Sequence, residues 1–570
     1  MSYNILGINP GHNGSAALLI DGELVYYIEE ERLSRSKYDG NPFRAINDIV
    51  SKWHIDDVVI VGTDLNLPKL PWTGEDPYSA LVRKYNPNIK VINVAKHHHL
   101  CHAACAFYNS GFDKALAIVI DGAGALQTIK HKDNIIAEGF ETESAYVFEY
   151  PSKIMPVYKS LSNNIGMYYS NNNTIFDSSI TITKAYEAVS HYLGFGFIEA
   201  GKTMGLAPYG KTDKNIPDLF YMNRGRKDYF IPNYPVGAFI DQNKIPYLIQ
   251  QNNPQKWHTD KNKITNIEKN LAWKIQNETQ KIVGDLIEKL VNSTKIKNVV
   301  IAGGYGLNCV SNYYLTKRFP QINFYFEPIA HDGGTAIGAT KLIWHKHCEK
   351  LENHDTLIKP QKTLYYGPKY TVKEIQKTLK DNSTKITTKK VSHKDVAKLI
   401  ADRNIVALFQ GQSEAGPRAL GNRSILYDPT DTNGKDFVNV VKGREWFRPF
   451  AGSVLKEDAK DWFDLAGQDE SPFMMMAVNV LTDKVNKIPA ITHVDNTCRV
   501  QTVTEKQNKH YYNLIKEFKN ITGVPILFNT SFNLAGDPLV ETVQHALDTL
   551  YQSDLNYLYL PELEILVTKS

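Results

Sequence analysis

One pattern of short apolar runs and glycine turns occurs twice, and it constrains the fold more than any other feature of the chain. Tyr3–Asn9 reads as a buried strand and Pro10-Gly11-His12-Asn13-Gly14 as a turn. Ser15–Ile20 is a second strand, Asp21-Gly22 a hairpin turn and Glu23–Glu30 a third strand. About 110 residues on, Ala115–Ile120, Asp121–Gly124, Leu126–His131, Lys132-Asp133-Asn134 and Ile135–Phe140 repeat the order. Asp-Gly between apolar runs is a strong hairpin signal. An internal repeat fixes architecture early. Two such meanders, each followed by helical pattern, predict two related α/β subdomains facing a cleft.

The remainder parses as alternating helix and strand. Thr265 and Glu268 form a capping box that opens a helix running to about Val291. Asn298–Ala302 is a buried strand, followed by Gly303-Gly304-Tyr305-Gly306 and a helix. Phe324–Phe326 is another strand, and His331-Asp332-Gly333-Gly334 leads into a helix at Thr335–His347. The stretch Cys348–Lys362 is polar and aperiodic. The expected division is therefore a domain at 1–350, a linker at 351–363 and a second α/β domain at 364–570, with strands at Ile405–Gln410 and Pro525–Asn529.

A chain of 570 residues with 42% hydrophobic and 22% charged residues excludes intrinsic disorder and fibrous architecture. Nothing approaches the run of about 18 apolar residues that a membrane span needs. The start, Met1–Gly14, lacks the basic-then-apolar layout of a signal peptide. A cytoplasmic protein without membrane partners is expected. Five cysteines without a Cys-x-x-Cys pair argue against a disulfide framework or zinc knuckle. A net charge of +4 is too mild to mark a nucleic-acid binder by itself, but it suits an anionic ligand.

Several motifs carry possible chemistry. His12 sits in a glycine turn whose backbone N–H groups face anions, and it is a candidate base or phosphate donor. His98 and His102 share a face if helical, which is chelating geometry. No Glu follows His98, so the zinc-peptidase pattern fails. Asp121 and Asp332, at strand ends in glycine loops, are candidate further ligands. A two-histidine, two-aspartate set suits iron, manganese or zinc. Otherwise Asp121 forms a turn and Asp332 caps the following helix. The strand–Gly-Gly-x-Gly–helix at 299–312 reads as a phosphate or adenine cradle, though neither a Rossmann nor a P-loop motif. Gly201–Gly210 reads as a glycine-studded loop in which Lys202 is a point charge for phosphate. In the second domain, Gly411–Ser424, Lys442–Phe450, Arg499–Gln501 and Phe528–Asn533 bring arginines beside glycine and proline, suited to bidentate capture of phosphate.

On these residues the chain resembles the O-carbamoyltransferases of the nodulation and aminoglycoside-antibiotic (tobramycin) type. The likeness runs nearly end to end: Asn9–His12, Glu29–Lys37, His98–Ala104, Gly201–Gly210, Gly303–Asn308, His331–Gly338, Ser413–Leu426, Lys442–Phe450 and Pro525–Gly536. Gly416–Ile425 and Asn529–Asn533 are its most specific stretches. The resemblance implies an actin-like (duplicated RNase H-like) N-terminal domain of the threonylcarbamoyl-transferase type. It implies a C-terminal α/β domain, YrdC-like, that forms carbamoyl-adenylate from carbamoyl phosphate and ATP with Mg²⁺. The first domain would then move the carbamoyl group to an acceptor hydroxyl.

By the same resemblance, His98, His102, Asp121 and Asp332 would hold Fe²⁺ or another divalent metal. His12 would be the base for the hydroxyl, with Lys37 near it. Arg418, Lys442, Arg448, Asn529 and Ser531 would contact carbamoyl phosphate. Lys202, Gly303, Gly304, Asn308, Gly333 and Arg499 would contact the nucleotide, although Tyr305 departs from the small aliphatic commoner in that loop. The Asn-rich segment of about Asn164–Ser178 is covered by none of these motifs and is expected to border the acceptor pocket. Dimers are common among such relatives, so a homodimer is one expectation. The acceptor would be a sugar, a natural product or a hydroxymethyl-nucleotide. 5-Hydroxymethylcytosine in phage DNA is the alternative, and an actin-like ATPase without group transfer is the competing class.

Overall fold

The structure, a computed structural model, describes residues 2–62, 70, 74–131, 134–162, 181–196, 198–216, 218–220, 264–350 and 357–570. Two compact units divide it. The first comprises Met1–Glu30 and Tyr38–Gln361, the second Glu31–Lys37 and Lys362–Ser570. The main division thus falls inside the stretch read as a linker, of which residues 351–356 lie outside the description. The short segment Glu31–Lys37 joins the second unit from far upstream.

The first unit holds two sheets. Strands β1 (Asn4–Asn9), β2 (Ser15–Ile20), β3 (Glu23–Glu29), β4 (Asp57–Ile60) and β5 (Lys90–Asn93) lie in the order β3–β2–β1–β4–β5. β1, β2 and β3 form the expected antiparallel meander, whereas β4 and β5 run parallel to β1. A crossover helix, Phe43–Val50, joins β3 to β4. It buries Ala45, Ile46, Ile49 and Val50, the one-sided spacing of an amphipathic helix.

The second sheet contains β6 (Lys114–Ile120), β7 (Leu126–His131), β8 (Asn134–Glu149), β9 (Lys153–Ser162), β10 (Asn298–Ala302) and β11 (Asn323–Phe326). Its repeat is longer than the sequence pattern indicates. β8 does not end at Phe140. Its first half pairs with β7, with Leu126 opposite Phe140, and its second half pairs with β6, with Ile120 opposite Glu143. β9 flanks that second half, and β10 and β11 run parallel on the other side of β6. The equivalent of β3–β2–β1–β4–β5 is therefore β9–β8–β6–β10–β11, and the β7–β8 hairpin is an extension of it. This shared order is the duplicated RNase H-like, actin-like arrangement. The turn read at Lys132–Asn134 lies partly outside the described residues, and Asn164–Ser178 lies wholly outside them.

The two sheets sandwich a helix pair. His98–Ser110 packs against Gly333–His347 so closely that a Cβ on Gly338 would lie 1.8 Å from the Cys101 carbonyl oxygen. A Cβ on Gly7 would lie 2.2 Å from the carbonyl oxygen of Ala336, so β1 meets the same helix at van der Waals limit. Val119, Ala103, Ala106, Phe107 and Val300 fill the space on one side. The helix Asn266–Thr294 begins at the expected capping box, where the Glu268 carboxylate accepts from the Thr265 N–H. Gly201–Gly210 is not the expected loop. Ala200–Leu206 is helical, with a 3₁₀ turn at Ala207–Tyr209. A Cβ on Gly210 would lie 2.0 Å from the Lys269 carbonyl oxygen, so a glycine there serves tight packing.

The second unit is built on one ten-stranded mixed sheet. Its strands are β12 (Ile386–Lys390), β13 (Val406–Phe409), β14 (Arg423–Tyr427), β15 (Ala451–Leu455), β16 (Phe463–Asp464), β17 (Ala477–Val480), β18 (Thr497–Val503), β19 (Ile526–Ser531), β20 (Tyr557–Leu560) and β21 (Ile565–Lys569). Their order is β12–β21–β20–β13–β14–β19–β15–β18–β17–β16. Among the described residues, no helix is long and apolar enough to cross a membrane. All five cysteines are buried and unbridged.

Candidate functional sites

The first unit gathers charge at the N-terminal ends of its central helix pair. His98 opens the helix His98–Ser110, so His102 lies one turn further on the same face. Their Nε2 atoms stand 3.1 Å apart. Asp121 follows the C-terminal end of β6, and Asp332 precedes the helix Gly333–His347 without capping it by its side chain. Asp121 Oδ2 lies 3.6 Å from His98 Nε2 and 3.9 Å from His102 Nε2. Asp332 Oδ1 lies 3.6 and 3.5 Å from the same two atoms. All four residues are buried.

These distances fit a metal. Ligands about 2.1 Å from one ion stand roughly 3.0 Å apart in an octahedron and roughly 3.4 Å apart in a tetrahedron. The four donor atoms lie within 4.8 Å of one another. The His98 Nδ1 faces the Gly62 carbonyl oxygen at 3.2 Å, which fixes the N–H there and leaves the Nε2 lone pair aimed at the cluster. The electrostatics ask for a cation. Burial disfavours a charged His98, yet Asp332 and Asp121 outweigh it and raise the imidazole to about 10. Burial likewise pushes the Asp332 carboxyl up, but His12, His98 and His102 hold it well below the usual carboxylate range.

His12 joins this site on its open side. Its Nε2 is 3.4 Å from Asp332 Oδ2, the oxygen turned away from the histidine pair, and its side chain is 44% exposed. The expected glycine loops close around the cluster. Gly304 N–H donates to Asp121 Oδ1 at 2.9 Å. Gly303 has φ +83, and a Cβ there would strike the Ile120 carbonyl at 2.4 Å. Gly333 N–H donates to His331 Nδ1, and the Gly333 carbonyl accepts from Ser15 Oγ. Asn308 turns elsewhere: its Oδ1 caps the next helix at Ser311, and its Nδ2 donates to Gln276. Lys202 pairs with Glu199 at 2.7 Å. Lys37 does not share a unit with His12. Arg32 and Arg35 tie its segment to carbonyls of Gly416, Pro538 and Leu539 in the second unit.

Two charged residues beside the cluster escaped the sequence reading. Lys184 and Glu187, on the helix Ile182–Tyr192, form a 2.7 Å ion pair. Glu187 stands near enough to Asp121 and His12 for both charges to act on its carboxyl. In sequence they are an ordinary helix pair three residues apart, with no signal that they face a site.

The second unit gathers cations. Lys442 is buried, and its ammonium donates to the Ser531 carbonyl and to Asn533 Oδ1. Arg444 lies 4.7 Å over the Phe450 ring and donates to Thr530 Oγ1. Arg448 pairs with Glu445 at 3.3 Å. Burial, then repulsion from Arg444, Arg448 and Lys37, holds Lys442 well below its ordinary range. Burial and Arg448, with Arg499 adding to them, depress Arg444 likewise. Asn529 Nδ2 donates to the Ala419 carbonyl and Ser453 Oγ, joining β19 to the loop that carries half-buried Arg418. Ser531 Oγ donates to Asn533 Oδ1. Arg423, from the same specific stretch, is structural. It is fully buried over the Phe409 ring, paired with Glu541, and bonded to the Gln410 carbonyl. Arg444 was not singled out by sequence, although it stands inside the Lys442–Phe450 motif.

The fold and the two charged sites define a protein of two α/β units, one with a buried His/Asp cluster and one with a cationic cluster. The family profile described as "Carbamoyltransferase N-terminus" matches residues 80–341, and "Carbamoyltransferase C-terminus" matches 397–568. An uncharacterized protein of Synechocystis is 31% identical across 98% of this chain and 95% of its own length. Nodulation protein NolNO of Sinorhizobium fredii is 30% identical over 96% and 77%. Among solved structures, full-length HypF in a phosphate- and nucleotide-bound form matches 61% of this chain and 56% of that one, at 12% identity and a TM-score of 0.33. The chain belongs to the carbamoyltransferase family.

Proposed function

We propose that this carbamoyltransferase is ATP-dependent and acts on a hydroxyl. In this reading the second unit takes carbamoyl phosphate and ATP. Water hydrolyses carbamoyl phosphate to carbamate and inorganic phosphate, a carbamate oxygen attacks the α-phosphorus of ATP, and pyrophosphate leaves with cleavage of the α–β P–O bond. The acceptor oxygen then attacks the carbonyl carbon of carbamoyl-adenylate, the C–O bond to AMP breaks, and the hydroxyl proton passes to a base.

The observation that carries the reading is the cationic cluster of buried Lys442 with half-buried Arg444 and Arg448. Loss of water and repulsion within the cluster depress Lys442 and Arg444. Among the described residues, Glu445 is the carboxylate paired within the set. Such a site is destabilising until a polyanion enters, and phosphates match guanidinium forks. Arg418, Asn529, Ser531 and Arg499 lie on elements joined to it and would orient the phosphoryl oxygens.

In the first unit, a hydroxyl is a weak nucleophile near neutral pH, so a positioned base accelerates its attack. His12 is half-exposed and oriented by Asp332 Oδ2, which suits it to receive that proton at Nε2. A divalent metal held by His98, His102, Asp121 and Asp332 would polarise the carbonyl and neutralise the departing phosphate. Gly303 leaves backbone close to the same ligands, while the N–H groups of Gly304 and Gly333 are given to Asp121 and His331 and hold those side chains in place.

The test is pyrophosphate release from ATP, with and without carbamoyl phosphate, before any acceptor is added. Release that depends on carbamoyl phosphate and is lost in Arg418→Ala supports the reading. ATP turnover indifferent to carbamoyl phosphate would leave an actin-like ATPase in its place.

A further inference from the structure

Ser453, Gln501 and Asn529, all buried, form one hydrogen-bonded set on adjacent strands of the second unit. Ser453 of β15 stands opposite Gln501 of β18, and Asn529 of β19 stands opposite Ala451, two residues before Ser453 on β15. Residues two apart on a strand share a face, so Asn529 lies diagonally across from Ser453.

The set fixes which end of the Asn529 amide faces which way. Asn529 Nδ2 lies 2.9 Å from Ser453 Oγ, 3.2 Å from the Ala419 carbonyl oxygen and 3.3 Å from Gln501 Oε1. The Ser453 hydroxyl donates to Gln501 Oε1 at 2.7 Å, and Gln501 Nε2 donates to the Leu420 carbonyl at 2.9 Å. The Ser453 proton is thereby committed, so its oxygen meets Asn529 as an acceptor. A main-chain carbonyl can only accept. Turning the Asn529 amide over would set its oxygen against three acceptors, so the hydrogens face the set and Oδ1 faces away from it. That oxygen is buried and receives no hydrogen bond among the described residues. A buried acceptor left without a donor is costly.

The backbone around Asn529 is that of the cationic cluster. Thr530, next in the chain, accepts from Arg444 at Oγ1, and the Ser531 carbonyl accepts from Lys442. Ala419, bonded to Asn529, follows Arg418. Cations beside an unfilled acceptor suit a ligand with an anionic end and a donor end. Phosphoryl oxygens cannot fill the place at Oδ1, because they too accept; an N–H can. We propose that Ser453 and Gln501 are positioning residues: by holding the Asn529 amide in this orientation, they make the second unit select a carbamoyl over an acetyl group on the same phosphate. The carbamoyl amine donates to Oδ1. The methyl of acetyl phosphate is of nearly the same size but cannot donate, and it leaves the oxygen buried and unpaired. A site built to hydrogen-bond an N–H rejects the analogue lacking it far more strongly than a site that reads size alone. The inference rests on the carbamoyl phosphate reading of this unit, and adds to it the atoms that tell one acyl phosphate from another.

The experiment uses two stable mimics that differ in that group alone, phosphonoacetamide and acetonylphosphonate, with inorganic phosphate as the reference. Dissociation constants are measured by calorimetry on the full chain. The wild type is expected to bind the amide about tenfold or more tighter than the ketone. In Ser453→Ala with Gln501→Met the Asn529 amide is free to turn, and the ratio should fall to near one while inorganic phosphate binds as in the wild type. A ratio taken on one preparation is indifferent to the fraction folded. If the double variant yields no folded protein, Ser453→Ala alone removes one of the three acceptors and should lower the ratio severalfold; an unchanged ratio there would overturn the proposal. So would a wild-type ratio near one, binding of inorganic phosphate without the amide mimic, or a double variant that keeps the ratio or weakens all three ligands alike. A wild type that binds neither mimic nor inorganic phosphate would instead defeat the carbamoyl phosphate reading, and this inference with it.

Discussion

Asp332 serves two partners with its two oxygens: Oδ2 faces His12 at 3.4 Å, while Oδ1 faces the histidine pair at 3.5–3.6 Å. One carboxylate thus joins the candidate base to the candidate metal site, and its main-chain position at a helix start leaves it little freedom. Asp332→Asn keeps the shape but removes the charge that both sides use. The expected outcome is a loss of bound metal, read by elemental analysis after dialysis, and a fall of about 100-fold or more in carbamoyl transfer, of the size seen when a metal ligand's environment is broken. Pyrophosphate release in the second unit should persist. Full metal content in the variant would show that Asp332 is not a ligand.

The cationic cluster makes a prediction of opposite sign for stability and binding. Arg444 is half-buried, and loss of water together with Arg448 and Arg499 depresses it. Arg444→Met keeps the stem over Phe450 and removes one repelling charge. The ligand-free variant should melt at or above the wild-type temperature, as functional sites often hold unfavourable charge. Wild-type protein should gain stability with inorganic phosphate or carbamoyl phosphate by mass action, and the variant should gain much less. A variant that melts lower yet binds phosphate equally would make Arg444 a structural residue like Arg423.

How much of this was legible in sequence depends on the range of the signal. The first meander, the capping box at Thr265 and the His98/His102 spacing are local, and all three stand as read. The second meander misled at Phe140, because β8 continues by changing partner from β7 to β6, and pairing partners leave no trace in a strand's own pattern. Gly201–Gly210 misled because its glycines answer helix packing rather than turns. The membership of Lys37 in the second unit rests on Arg32 and Arg35 reaching carbonyls some 380 to 500 residues away, which no local rule exposes. Lys184 and Glu187 were invisible for the same reason: a helical pair shows its spacing but not its neighbours.

Glu30 gives the first unit a pH signature. It is buried, and its carboxylate accepts from the Ala45 N–H. Burial raises the carboxyl to about 7 from a reference value of 4.5, against the pull of that N–H. Between those values the folded chain holds a proton that the unfolded chain has released, so this residue lowers stability as pH rises through that window. Glu30→Gln keeps an acceptor for Ala45 and cannot ionise. Its stability relative to wild type, from urea melts at several pH values, should rise from pH 4.5 to 7 and level off above. A difference independent of pH would mean that Glu30 ionises in the fold as it does in water.

Lys341 and Glu327 form a further buried charge set in the first unit, joined through Asn109. Lys341 Nζ donates to Asn109 Oδ1 at 2.7 Å, and Asn109 Nδ2 donates to Glu327 Oε2 at 3.0 Å. Both charged residues are essentially inaccessible, and burial brings the lysine down to about 8. Removing one member of such a set strands the other, a loss of about 3–5 kcal/mol, whereas removing both together costs little. Lys341→Met should therefore destabilise the first unit strongly, and adding Glu327→Gln should recover most of the loss. The second substitution keeps one acceptor, for the Ile329 N–H that Glu327 Oε1 now receives at 3.0 Å, and puts an amide donor toward Asn109, whose Oδ1 can turn to meet it once Lys341 no longer donates to it. A double-mutant cycle by urea unfolding measures the coupling. Additive losses would show that the two charges do not compensate each other across Asn109, and that the set is held by hydrogen bonds alone.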